Sequence, residues 1–318
     1  MPRRLLLALL LLAPAPAATA QGLPHFAPIN PVATSRSGLG FEPYRDPAPG
    51  RWVASLGLDY ASTIEVNELR AADYLLDSEL LRIDLRARRD LGTRTFVLAE
   101  AEVRGSYAGF LDGFLEWYHG LLGLDIPERD ARPRDDFLYA VAPPGGELLR
   151  PEPSDLFLGD ARFGVGVRWA PEFQSVAAVT LPTLTGPQGY GRGVASVSLL
   201  NTVRARLTPR LVYEGSLSAG YTARHGRLAP LQRETMVAAS SGLRWGFWGR
   251  HAIYGNFFYH SPYYEGTTLP ALDRRELSFD FGWILATGGT AEWRVGMTED
   301  LEPAGPAIDL VFRLGASF

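Results

Sequence analysis

The chain of 318 residues has no cysteine and no lysine. Without thiols it can build neither a disulfide framework nor a thiolate metal site. All 31 basic side chains are therefore arginines, each a permanent charge with five N–H donors and no acceptor. Long apolar runs are also missing. The stretch from Leu5 to Ala13 is cut by Pro14 and Pro16, short of the roughly 20 apolar residues that a membrane-crossing helix requires. No basic face is gathered anywhere, and the formal net charge is −4, which excludes nucleic acid as a natural partner. No cofactor motif is present, and no serine sits in a G-x-S-x-G nucleophile turn.

At the N-terminus, Arg3 and Arg4 precede the short apolar run, and Ala18, Thr19 and Ala20 supply small residues at a cleavage position. This pattern predicts a secretory signal peptide over 1–20, exporting the rest. Residues 21–50 are then expected as a periplasmic N-terminal segment and 51–318 as the folded body.

That body alternates. Trp52, Ala54, Leu56, Leu58 and Tyr60 share one side, with Ser55, Gly57 and Asp59 opposite. Leu81, Ile83, Leu85 and Ala87 oppose Arg82, Asp84, Arg86 and Arg88, while Val97, Ala99, Ala101 and Val103 oppose Glu100, Glu102 and Arg104. A period of two is the signature of a β-strand. The same pattern recurs near 161–169, 173–182, 194–207, 210–222, 233–247, 250–260, 275–286, 290–298 and 307–318. Connections are short after Arg89, Trp169, Leu207, Phe247 and Thr287, and long after Tyr60, Gly105, Pro182, Thr222, Ser261 and Thr298. Twelve strands with short turns at one end and long loops at the other predict an all-β fold, a transmembrane antiparallel β-barrel of the cell outer membrane. A soluble sandwich would show neither regularity.

Aromatic residues agree with this reading. Trp52, Trp169, Trp245, Phe247, Trp293 and Phe318 fall near the short-turn end of the apolar face, and Tyr60 and Tyr221 near the other, as interfacial girdles require. The alternation of Leu310, Phe312, Leu314, Ala316 and Phe318 resembles the terminal signal read by the barrel-assembly machinery. The opposite face becomes the lumen, lined by Arg82, Asp84, Arg86, Arg88, Glu100, Glu102 and Arg104 among others. Mixed charge there allows either an ion-paired filling or a narrow pore.

One stretch breaks the β pattern. In "GFLDGFLEWYHGLLGL", Gly109 to Leu124, the residues Phe110, Leu111, Phe114, Leu115, Tyr118, Leu121 and Leu122 fall on one side of a helix. Asp112, Glu116 and His119 share the other, a candidate metal-binding or general-base set, or simply a solvated face. The helix is expected in a long extracellular loop, its apolar side docked on the barrel mouth or outer leaflet and its polar side turned to the lumen entrance or to solvent.

The run "NPV" at Asn30, "FLDGFLEWYHGLLGLDIP", "LGDARFGVGVRW" and "SPYYEGTTLPALDRRE" together resemble an uncharacterised outer-membrane family, the domain of unknown function numbered 3187. Asp112, Glu116 and His119 match that family's D-x-x-x-E-x-x-H pattern. The resemblance implies an exported β protein and no established activity. The charged lumen favours a narrow channel or binding barrel for small hydrophilic or amphipathic molecules over an enzyme acting on lipid or lipopolysaccharide, or a purely structural barrel. Outer-membrane lipid and lipopolysaccharide are its expected surroundings.

Overall fold

The computed structural model describes residues 22–69, 72–123, 133–142, 148–288, 291–302, 306 and 308–318. The leader expected over 1–20 lies outside them. The strands are β1 (Trp52–Leu69), β2 (Ala72–Asp90), β3 (Thr95–Tyr107), β4 (Leu138–Ala142), β5 (Ser154–Leu158), β6 (Ala161–Ala170), β7 (Phe173–Leu181), β8 (Ser196–Arg206), β9 (Leu211–Thr222), β10 (Thr235–Trp248), β11 (His251–His260), β12 (Glu276–Gly288), β13 (Ala291–Asp300) and β14 (Leu310–Ser317). Each pairs antiparallel with its neighbour in the order β1-β2-β3-β6, then on through β14. β14 returns to β1 with Leu58 opposite Leu314 and Asp59 opposite Arg313, so twelve strands close into a barrel. Closure leaves no open edge, the condition for a sheet to lie in lipid.

β4 and β5 stand outside the ring. They belong to the long β3–β6 connection and pair with the upper ends of β2 and β3. That connection also carries the helix α2 (Asp112–Leu122). The described residues also include two one-turn α-helices, α1 (Pro31–Thr34) and α3 (Pro270–Asp273), and a 3-10 turn at Ala229–Leu231.

One expected loop is absent. Instead of a long connection after Tyr60, β1 and β2 continue as a paired hairpin to Leu69 opposite Ala72. The alternation fails there for a physical reason: residues 61–65 are buried on both sides, so no solvent- or lipid-facing row marks the strand.

Outside, the barrel is apolar. Leu56, Leu85, Phe163, Val165, Leu199, Leu217, Leu243, Phe257 and Leu314 are all exposed, in the alternation of a lipid-facing wall. Trp52, Trp169, Trp245, Phe247, Trp293 and Phe318 are exposed at the turn end, forming the expected girdle. Phe318 exchanges both backbone hydrogen bonds with Ala54 and meets the Trp293 ring edge-on at 6.1 Å.

Inside lies the largest departure from the sequence reading. Residues 22–47 do not hang beneath the barrel. They run up the lumen from the turn end, bend at α1 near the loop end, and descend again, the two limbs bridged by mutual backbone hydrogen bonds between Phe26 and Phe41. The segment is a plug. Its Phe26, Val32, Ala33, Leu39 and Phe41 join Phe258, Tyr139, Tyr263 and Leu269 in the main buried cluster, so the hydrophobic core of this protein sits within the barrel.

Candidate functional site

The plug is rich in proline: Pro24, Pro28, Pro31, Pro43 and Pro47. Proline has a carbonyl but no N–H, so such a segment carries more acceptors than donors and cannot satisfy itself as a helix or strand. The lumen wall supplies what is missing. Arg82 donates to the carbonyls of Pro28 (2.6 Å) and Ala27 (2.8 Å), and Arg313 also reaches Ala27 (3.2 Å). Arg294 donates to His25 O, Arg244 to Gly22 O, Arg168 to Arg45 O and Arg192 to Ser37 O. Gln174 and Thr202 hold Pro43 and Glu42 in the same way. Guanidinium groups have donors and no acceptors, which matches them to this chain of carbonyls.

Charge is balanced locally rather than along an open pore. Asp59 on β1 receives Arg82 from β2 and, at 3.1 Å, Arg313 from β14, and so fastens the closing strands to each other. Arg86 is bound by Glu100 of the wall and Glu42 of the plug. Arg88 lies 3.6 Å over the Phe96 ring, Arg104 pairs with Glu102 and donates to Tyr190 O, and Asp84 faces His25 at 4.0 Å. Arg82, Asp84, Arg86 and Arg88 thus meet the plug directly and Glu100 meets it through Arg86, while Glu102 and Arg104 pair with each other beside the loop residue Tyr190.

Two clusters within this seat resemble chemical sites. His25, Glu42 and Glu100 bring ligand atoms within 4.8 Å of one another, but Arg86 already occupies the space between the carboxylates, so the position is filled by a fixed cation. His260 sets Nδ1 on the Ser261 carbonyl, and Nε2 accepts from the Ser37 hydroxyl at 2.7 Å. This serine–histidine pair is buried, with the His260 ring stacked on Tyr263 at 4.2 Å. It latches the top of the plug to β11.

The wall makes room for the plug. A Cβ on Gly242 would lie 2.7 Å from Leu23, and one on Gly220 would lie 3.2 Å from Leu39. These glycines and the plug's prolines are the functional residues that alternation alone does not reveal. The surplus of prolines before the first strand, set against an arginine-rich lumen, is the sequence signal that points to them.

Above the plug a cavity of about 240 Å³ opens among the loops. Its floor is Val32 and Ser35 of the plug, and its walls include Tyr139, Leu149, Leu184, Gln188, Arg192, His225, Gln232, Tyr264 and Leu272. Apolar and hydrogen-bonding groups both line it. Burial draws the Arg192 guanidinium down to about 10, with Asp160, 3.1 Å away, working against the shift, so Arg192 stays cationic at neutral pH.

The loop triad is placed otherwise than expected. α2 lies on the outside of the barrel, across the β14–β1 seam. Phe110 stacks on Tyr60 at 5.5 Å, Phe114 meets Phe312 at 5.7 Å, and Tyr118 donates to Glu299 at 3.1 Å. Asp112 and His119 are buried beside Leu115, and the Asp112 carboxylate accepts from Asp135 N at 2.7 Å. Glu116 is paired with Arg134. The three acidic and imidazole groups share a helix face, as the spacing indicated, but that face is turned toward the protein rather than to the lumen entrance or solvent. The physical reason is Glu79, which points outward from β2 and takes the N–H groups of Phe110 and Leu111 together with the Tyr60 hydroxyl, anchoring the start of the helix to the outer wall. Glu79→Ala removes all three bonds. It is expected to loosen α2 by about 1–3 kcal/mol, seen as faster proteolysis at Arg134 with no change in the heat-modifiable barrel.

Comparison with known proteins follows this geometry. The fold is similar to that of the COG4313 outer membrane channel from Pseudomonas putida F1, at TM-score 0.55 and 12% identity, covering 87% of this chain and 98% of that one. Similar solved structures also include the NanC porin (TM-score 0.47, 5% identity, 84% and 99% covered) and the Ralstonia pickettii toluene transporter TbuX (0.40, 11%, 91% and 96%). No curated protein matches the sequence. Residues 29–168, from the plug through β6 and including α2, match the family described as "Protein of unknown function (DUF3187)", as the motifs at Asn30, Asp112 and Leu158 indicated; the "SPYYEGTTLPALDRRE" run lies beyond the match.

Proposed function

We propose that this protein is a gated outer-membrane channel for small amphipathic molecules, exported by cleavage of residues 1–20, in which the loop-end cavity receives the solute and the N-terminal plug yields to it while barring ions and polar solutes. The observation that carries the reading is the cavity itself: it is open toward the loops, lined by both apolar and hydrogen-bonding side chains, and floored by a segment of the chain that no barrel strand depends on for its own pairing. A ligand pocket of mixed lining in the mouth of a barrel is where a solute with an apolar body and a polar end would settle. A structural barrel has no need of such a pocket.

Proteoliposome swelling tests this, with butyrate as an amphipathic probe and arabinose as a polar one of similar size. Filling the cavity by Gly191→Trp is expected to slow butyrate-driven swelling several-fold relative to the native protein, while arabinose stays near the empty-vesicle rate in both. Equal rates for native and filled proteins would remove the cavity from the path.

A further inference from the structure

The outer side of α2 is the reverse of what water selects. Phe110, Trp117 and Leu121 are 70%, 61% and 69% exposed, whereas Leu115 is fully buried and Asp112 and His119 are each 7% exposed. A helix that turns its aromatic and aliphatic groups outward and its carboxylate and imidazole inward is built for an apolar surrounding.

Its height on the barrel says which surrounding. Tyr60 stands eight residues above the turn-end girdle residue Trp52 on the same lipid-facing row. At about 3.3 Å per residue and a tilt near 45°, that is roughly 19 Å, inside an apolar band about 25 Å tall. Phe110 rests on Tyr60, and Phe114 rests on Phe312, the residue paired with Tyr60 across the seam. The exposed side of α2 is therefore continuous with the lipid-facing wall of Leu58, Tyr60, Phe312 and Leu314.

The helix also bridges a particular place. Pairing between β1 and β14 ends at Ser62 opposite Leu310, while β1 runs on to Leu69. α2 begins beside β1 and β2, held by Tyr60 and Glu79, and ends on β13, held by Tyr118 and Glu299. It thus spans the upper end of the closing seam from both sides.

We propose that α2 is an interfacial strap, embedded by Phe110, Trp117 and Leu121 among the acyl chains of the outer leaflet and lying across the seam where the barrel closes. Its partner is hydrocarbon rather than an anionic headgroup: among the described residues, the cation beside the helix, Arg134, is committed to Glu116, and the exposed row of Phe110, Trp117 and Leu121 carries no charge. The embedding rests on the transmembrane barrel and not on the channel reading, so it stands or falls independently of solute passage.

The absence of cysteine makes the test direct. Trp117→Cys and Leu121→Cys, each spin-labelled in the full chain and reconstituted in phosphatidylcholine vesicles, are compared with Phe163→Cys on the lipid-facing wall, with heat-modifiability as the check on folding. Collision with dissolved oxygen is expected to exceed collision with a water-soluble nickel chelate at both helix positions, as at Phe163→Cys. Dominant collision with the chelate would place the helix in water and overturn the proposal. Low access to both reagents, with broadened spectra, would show the face covered by a second copy of the chain and overturn it equally.

Discussion

Excising residues 24–46 is expected to turn a silent barrel into one that passes ions in discrete steps in a planar bilayer. The wall does not lean on the plug for its backbone bonding, since every ring strand pairs with two other ring strands. What the plug contributes is the filling: its apolar residues occupy the upper lumen and its carbonyls cap the wall arginines below. Once it is gone, water takes over those hydrogen bonds. A twelve-stranded barrel is wider than the eight-stranded size that its own side chains fill, so a continuous aqueous path opens. In the excised protein Arg82, Arg86 and Arg88 lose the Pro28, Ala27 and Glu42 partners that engage them in the native chain. Changing all three to Glu should then move selectivity toward cations, because rings of fixed charge decide which ion is admitted. The same reversal in the intact protein should leave it silent or disturb the seat of the plug. A heat-modifiable excised barrel that still conducts nothing would mean that wall side chains alone seal the lumen.

The barrel was legible because lipid imposes one rule on every strand. A residue facing acyl chains must be apolar, and its neighbour facing the lumen need not be, so Val97-Ala99-Ala101-Val103 against Glu100-Glu102-Arg104 reads as a wall without further information. The β1–β2 extension escaped because that rule lapses where both faces are covered: Glu65 is met from inside by Asn30, and Glu79 is met from outside by Phe110 and Leu111. Carboxylates are tolerated there, and alternation of polarity no longer tracks alternation of side. The same lapse explains α2. Its amphipathicity was evident from Asp112, Glu116 and His119, but a helix wheel gives two faces without saying which one meets the protein. In water the apolar side would; beside lipid the polar side does. The plug escaped for a different reason. Its irregular path has no period, and its contacts are backbone carbonyls, which every residue carries and no side-chain pattern reports. Only the imbalance between a proline-rich segment and an arginine-rich lumen hints that the two are complements.

The cysteine-free chain allows the plug to be fixed in place and released again. A Cβ at Gly38, near the top of the plug, would stand 3.1 Å from Oγ1 of Thr180 on β7, a separation that suits a disulfide between cysteines at these two positions. Thr180 is buried and Gly38 half-buried, and neither lines the loop-end cavity, so the bond would join the bend of the plug to the wall, with the added Cβ also lying 3.2 Å from the Arg192 guanidinium. Urea weakens apolar burial, and it should act on the plug, held by side-chain bonds and packing, before it acts on a closed ring of backbone pairs. Native protein in moderate urea is therefore expected to begin conducting at concentrations where the barrel still resists unfolding in detergent gels. Under oxidising conditions Gly38→Cys/Thr180→Cys should remain silent over that range, and adding a reductant should restore the native response within the same bilayer. This reversal distinguishes a plug that must move from one that is merely present. Conduction through the oxidised protein at the native urea concentration would show ions passing beside a stationary plug, and the gate would then have to be sought in the loops around Arg192 and Tyr264.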